Sequence, residues 1–322
     1  MDDDFDISAL WDRVTRTDGV DRADALIQLG GALLMSGDGV EALAAVDAAT
    51  DLFLSASDVP GHPGLAAAHH NAAVVLQHLG RTADAAARHE RAVDVHLAGF
   101  RTTEAARCLH HTGDLFVLAG DHRAALDRFD RAAALFGADD GDVVDDAREL
   151  GTTLLAAASA AFDAGRPGWA RDRLGRATAA LRSATEVDVG RLGRCEVLRA
   201  RLLRRRRQWS AALAAVQCAM QLYDAVGDEV AIAEAFVLRV ELLADAGLDE
   251  DAVKVAEVLR SELRDLDDPE GVARCDLAAG RALLRLGDQA RAVHALEAAA
   301  TVFDALGRPG EADAARRLVA MS

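Results

Sequence analysis

Aromatic residues make up only 4% of the chain, and proline occurs five times in 322 residues. A wide β-sandwich or barrel core draws heavily on aromatic and β-branched side chains, so the first scarcity argues against an all-β fold. The second leaves long stretches free of the residue that breaks helices. Four cysteines (Cys108, Cys195, Cys218, Cys275) stand far apart without CxxC spacing, which excludes a disulfide framework or a paired-thiol zinc ribbon. No run approaches the roughly 20 apolar residues needed to cross a bilayer, so no membrane association is expected. The opening Met1-Asp2-Asp3-Asp4-Phe5-Asp6 lacks the basic and apolar regions of an export signal. A cytoplasmic location is therefore expected. Basic residues are outnumbered 36 to 53, leaving a formal charge of −17, which disfavours general nucleic-acid binding.

What is abundant is alanine, leucine and valine, within a hydrophobic content of 51%. Alanine loses no rotamer freedom in a helix, so an almost wholly helical protein follows. The strongest signal is a repeat of about 40 residues. Glycines recur at Gly37, Gly80, Gly120, Gly165, Gly247 and Gly287, and Arg207 fills the one missing place. Five residues beyond each stand Ala42, Ala85, Ala125, Ala170, Ala212, Ala252 and Ala292; twelve beyond stand Ala49, Ala92, Ala132, Ala177, Ala219, Leu259 and Ala299. Seven residues before each stand Gly30, Ala73, Gly113, Ala158, Ala200, Val240 and Gly280. Small residues at fixed points on successive helices allow the close axis approach that an antiparallel pair with a tight turn demands. Four prolines (Pro60, Pro63, Pro269, Pro309) fall between repeats and Pro167 in a turn, so none interrupts a predicted helix.

The expected architecture is all-α. Seven helix pairs occupy residues 20–60, 61–101, 102–141, 142–186, 187–227, 228–268 and 269–306. A capping helix over 1–19, built on Phe5, Ile7, Leu10, Trp11 and Val14, and another over 307–322 close the ends, as a solenoid requires.

A small residue, a turn Gly-Asp and alanines five and twelve residues on make a pattern that resembles the tetratricopeptide repeat. Its clearest copy runs from Leu109 through Gly113 and Gly120-Asp121 to Ala125 and Ala132, and the resemblance covers roughly residues 20–306. Units of 39 to 45 residues are longer than the usual 34, and the aromatics expected on the first helix are mostly Leu or Ala. Long units of this kind look like those of kinesin light chains and of signal-sensing bacterial regulators. The resemblance implies a right-handed superhelix whose first helices line a concave groove for a peptide or partner protein, and it implies no catalysis.

The residues add their own indications. Arg194, Arg201 and Arg205 fall on one helical face of the fifth unit, with Arg204 beside them, and Arg274, Arg281 and Arg285 repeat the set in the seventh. The sixth places Glu234, Glu241 and Asp245 between. These rows are read in two ways. They can zip into an ion-pair ladder between repeats, or the excess of arginine can dock an anionic ligand, since guanidinium forks suit carboxylates and phosphates. An acidic peptide segment is the expected partner, with a small anionic ligand as the alternative. His70 and His110 occupy matching positions on adjacent first helices, with Asn71 and Asp114 close in register, and are read as polar lining for a partner. No HExxH or CxxC spacing accompanies the histidines, so no metal is expected, and no cofactor. The cysteines are read as small buried hydrophobes, and Trp11, Trp169 and Trp209 as core packing.

No P-loop, GxGxxG, GxSxG or comparable catalytic motif is found, so the chain is expected not to be an enzyme. A binding module for another protein is the reading that results. Its alternative is a sensor that changes pitch when a small anion or peptide binds. The acidic Asp2-Asp3-Asp4 segment is a further candidate occupant of the arginine-rich face.

Overall fold

In the computed structural model the described residues are 6–56, 61–137 and 146–321, and among them every regular element is an α-helix. Phe5, Pro60 and the Asp2-Asp3-Asp4 segment lie outside the described residues. The chain divides into two compact units, Met1–Glu186 and Val187–Ser322.

In the first unit a lone helix, α1 (Ile7–Arg16), precedes four antiparallel pairs. These are α2 (Gly19–Met35) with α3 (Gly39–Ala56), α4 (Pro63–His78) with α5 (Thr82–Ala98), α6 (Thr102–Leu118) with α7 (His122–Phe136), and α8 (Asp146–Asp163) with α9 (Pro167–Ser183). The second unit holds α10 (Val189–Arg205) with α11 (Trp209–Asp224), α12 (Glu229–Asp245) with α13 (Asp249–Asp265), and α14 (Pro269–Leu286) with α15 (Gln289–Ala305), followed by α16 (Pro309–Met321). The fold is an all-α solenoid of stacked helix pairs.

The Gly-Asp turn follows from helix-end chemistry. Gly120 adopts φ +75°, a left-handed conformation that lets the Asp121 N–H bond back to Phe116 O at 2.9 Å and so satisfies a terminal carbonyl of α6. The Asp121 carboxylate then accepts from the Ala124 N–H at 3.0 Å, capping α7. One residue thus ends a helix and the next begins its partner. Arg207 takes the same conformation, φ +56°, without glycine's freedom. Pro63, Pro167, Pro269 and Pro309 each open a helix, where the missing N–H is no loss.

Alanines five residues past the turns are completely buried, from Ala42 to Ala292. The small residue before each turn meets a larger one nine residues after it. A Cβ added at Gly113 would stand 2.5 Å from Phe129, and at Gly30 and Gly280 it would stand 2.5 Å from Val46 and 2.7 Å from Leu296. The sixth repeat exchanges the sizes, with buried Val240 opposite buried Ala256. Volume at this contact is conserved between the two helices rather than at either position.

Three expectations need correction. Cys108, Cys195 and Cys275 are buried, but Cys218 is exposed, because its place on α11 faces away from the neighbouring helices. Trp11 is 47% and Trp169 49% exposed, whereas Trp209 is half-buried and packs against the core. Trp169 instead lies under two guanidiniums, with Arg166 at 4.3 Å and Arg173 at 5.3 Å from its ring centre.

Candidate functional site

The arginine rows of the second unit form a ladder centred on α12. Arg204 of α10 reaches Glu241 at 2.5 Å and Asp245 at 2.6 Å. From the other side, α14 sends Arg274 to Glu241 at 2.8 Å and Arg281 to Asp245 at 2.9 Å. Arg285 goes past α12 to Asp249, the first residue of α13, at 2.6 Å, and the same amino group, Nη2, also donates to Ala244 O at the end of α12. Glu241 and Asp245 are mostly buried, so two cations each offset their desolvation. Burial works against the charge on Arg204, but Glu241 and Asp245 more than offset it and raise its pKa.

The rung from the fifth repeat is therefore Arg204, not the Arg194, Arg201 and Arg205 stripe. At about 100° per residue, Arg204 stands roughly 80° round the helix from Arg194's side of that stripe, and that side faces α12. Arg194, Arg201 and Arg205 are all exposed, and among the described residues Arg194 and Arg201 make no ion pair within 4 Å. Glu234 is likewise exposed and takes no part in the ladder. Arg204, Arg274, Arg281 and Arg285 are thus engaged within the unit, and Arg194 and Arg201 are the singled-out arginines that make no ion pair among the described residues.

A pocket of about 230 Å³ opens beside this ladder, lined by Arg204, Arg274, Arg281 and Arg308 with Glu241 and Glu311. The Nε–H of Arg281, one of the lining residues, is buried and has no acceptor among the described residues. Lys254 is the only lysine among the chain's 36 basic residues, so these sites present planar forks rather than flexible ammonium groups.

The first unit has a different character. Asn71 lines an apolar cleft of about 420 Å³ with Leu10, Gln28, Leu34, Met35 and Val74. Met35, 78% exposed, stands at its edge. His110 hydrogen-bonds Thr153 at 2.9 Å, places Nε2 3.6 Å from Asp114, and packs edge-on against Phe129. His70 turns elsewhere. Its ring centre lies 5.1 Å from that of His89 on α5 and 5.9 Å from that of His111 on α6. His70, His89 and Cys108 each offer a ligand atom within 4.8 Å of the others. His70 thus faces His89 and Cys108, His110 bonds Thr153 and meets that group through His111, whose ring centre is 6.0 Å from its own, and Asn71 lines the apolar cleft.

Burial holds the pKa of His89 down to about 3, helped by His70 and His111 beside it, and burial with nearby Arg88 and Arg91 holds His69 to about 4. Burial lowers His70 as well, and raises the Cys108 thiol to about 11. His89 is only 2% exposed and its Nδ1 has no hydrogen-bond partner, an arrangement that costs about 1–3 kcal/mol for a buried polar atom.

His89 escaped the sequence reading, although a signal was present. It stands nine residues past Gly80, at the contact where other repeats carry Val46, Phe129, Leu174, Val216 and Leu296. A second ladder also went unread. On the second helices of the first unit, Arg88 pairs with Asp47, Arg128 with Glu90 and Arg173 with Asp130, each at 2.5 Å. Each acid lies ten residues past its turn and each arginine eight past the next.

Comparison with known proteins agrees with the helix pairs. Residues 21–98 match the tetratricopeptide repeat family. A tetratricopeptide repeat protein from Parabacteroides merdae superposes with a TM-score of 0.60 at 15% identity, covering 92% of this chain and 97% of that one. The apo form of RapI gives a TM-score of 0.63 at 10% identity over 93% of this chain and 99% of its own. Aspartyl phosphate phosphatase F from Bacillus subtilis gives 0.60 at 10% identity, covering 100% of this chain and 94% of that one. At these identities the likeness is one of fold. No curated protein matches the sequence. No helix among the described residues is long and apolar enough to cross a membrane.

Proposed function

From the premise that this chain is a tetratricopeptide-repeat protein, we propose that it is a non-catalytic interaction module whose arginine-bearing helix α10 recognises an acidic segment of a partner protein. One observation carries the reading. Arg194 and Arg201 remain exposed and, among the described residues, without an ion pair on one stripe of α10, while the arginines of α14 singled out beside them are engaged by α12 and α13. A side chain held in a ladder fixes the helices, whereas one left over is available to a ligand. Two guanidiniums seven residues apart lie on the same face about 10 Å from each other along the axis. An extended segment spans that distance in about three residues, so acidic side chains about three positions apart match the spacing.

The test is affinity capture from native extract with the wild-type chain beside Arg194→Glu/Arg201→Glu. The proposal expects a protein retained by the wild type, released at moderate salt and absent from the variant capture. Equal retention by both chains removes α10 as the docking surface.

A second reading, a regulator that senses a small anion, is favoured by the pocket of about 230 Å³ and by the buried Arg281 Nε–H without an acceptor. Such a ligand stabilises the folded chain by mass action. Inorganic phosphate or citrate then raises the melting temperature of the wild type and not of Arg281→Leu. A plain protein-binding module shows no such shift.

A further inference from the structure

The histidine-rich second repeat gathers its side chains around a point that the proposed docking surface does not use. His70 projects from α4, His89 from α5 and Cys108 from α6, and their ligand atoms lie within 4.8 Å of one another. The His111 ring, one turn along α6 from Cys108, has its centre 5.9 Å from that of His70 and 6.0 Å from that of His89. His110, the neighbouring histidine, bonds Thr153 and packs against Phe129, with its ring centre 6.0 Å from that of His111. His89 is almost wholly buried, yet its Nδ1 lacks a partner. An imidazole placed at an aliphatic position and left unsatisfied is a poor packing solution, and a bound cation answers it.

We propose that His70, His89 and Cys108 bind a zinc-class divalent ion, with His111 as the fourth ligand. Two or three imidazole nitrogens and one thiolate suit zinc and its cobalt substitute, and they do not suit the oxygen-seeking calcium or magnesium. Tetrahedral coordination with metal–nitrogen bonds near 2.0–2.1 Å and a metal–sulfur bond near 2.3 Å sets ligand atoms about 3.4–3.6 Å apart. The three ligand atoms of His70, His89 and Cys108 close to that size by movements of about 1 Å, whereas His111, outside that 4.8 Å group, joins by a larger rotation of its exposed side chain. Binding forms one metal–sulfur and three metal–nitrogen bonds and releases the Cys108 thiol proton to solvent. His111 is exposed and gives the ion its way in. The three helices α4, α5 and α6 belong to two successive repeats, so the ion staples one repeat to the next.

The experiment uses the full chain, stripped with a chelator and titrated with Co²⁺ and then Zn²⁺. The wild type is expected to take up one Co²⁺ per chain, to show a thiolate-to-cobalt charge-transfer band, and to lose that band when Zn²⁺ displaces the cobalt. Cys108→Ser, which changes volume little, keeps the helical circular dichroism and loses the band. His111→Ala, a change at an exposed residue, weakens uptake, while His78→Ala, exposed and outside the cluster, leaves it unchanged. Absence of stoichiometric uptake by the wild type overturns the proposal, because the histidines are then polar packing alone. Uptake with no thiolate band, or a band that survives in Cys108→Ser, overturns it too.

Discussion

Gly113→Ala adds a single methyl group in the middle of α6, and an alanine in a helix interior ordinarily stabilises by about 0.5–1 kcal/mol relative to glycine. Here the sign reverses. The new Cβ stands 2.5, 2.7 and 2.8 Å from three carbons of the Phe129 ring, which is itself completely buried. Either the ring leaves its rotamer or α6 and α7 move apart, and overpacking of this kind costs about 1–3 kcal/mol. Net of the helix gain, a loss of about 1–2 kcal/mol is expected in urea unfolding followed by circular dichroism. Phe129→Leu alone loses packing and costs about 1 kcal/mol. Because the added methyl fills space that the ring vacates, the double variant should be less damaged than the sum, with a coupling of about 1 kcal/mol or more. The sixth repeat, with Val240 opposite Ala256, is the natural form of that exchange. Additive effects, or a stabilising Gly113→Ala, would refute the claim that this contact is conserved as a pair.

Arg207→Gly relieves a left-handed residue that the other turns assign to glycine, and should stabilise by about 1 kcal/mol in the same assay. Arg204→Leu leaves Glu241 and Asp245 with one cation each and should destabilise by about 1–2 kcal/mol, less at high salt, as urea unfolding at two ionic strengths will show. In chelator-treated protein, acid should unfold the chain through His69 and His89. Both take up a proton in the unfolded state near pH 6.5, and in the folded state only near pH 4 and 3. The unfolded chain therefore binds more protons as pH falls through that window, and stability drops by about 4 kcal/mol for the pair between pH 7 and pH 5. His89→Asn should flatten the dependence by about half.

How much of this was legible depends on whether a feature was periodic. The Gly-Asp turns, the buried alanines and the small residues before each turn recur in register, so the helix pairs could be read directly from residue order. Arg207 could be placed for the same reason, although it is no glycine. The ladder was legible as rows of opposite charge on three first helices. Its first rung was not, because the face that α10 turns to α12 is fixed by packing between repeats and selects Arg204 over Arg201 and Arg205. Asp249 was missed because it comes from the start of α13 rather than from α12. His89 shows the opposite lesson, since its distance from Gly80 marks it as a core position in the sequence itself. Polarity at such a register is the signal, and it points to the cluster with His70 and Cys108. The partition of His70, His110 and Asn71 among three surroundings could not be read, because matching register places side chains on equivalent helices without saying which neighbour each one meets.

The measurement closest to the central claim is an equilibrium titration of the full chain with a fluorescent peptide rich in Asp and Glu, at low and moderate salt, for the wild type and for Arg194→Glu/Arg201→Glu. The account predicts saturable binding by the wild type that weakens as salt rises, and a loss of at least tenfold in affinity in the variant, equivalent to about 1.4 kcal/mol. Unchanged affinity in the variant, with the same response to salt, would contradict it.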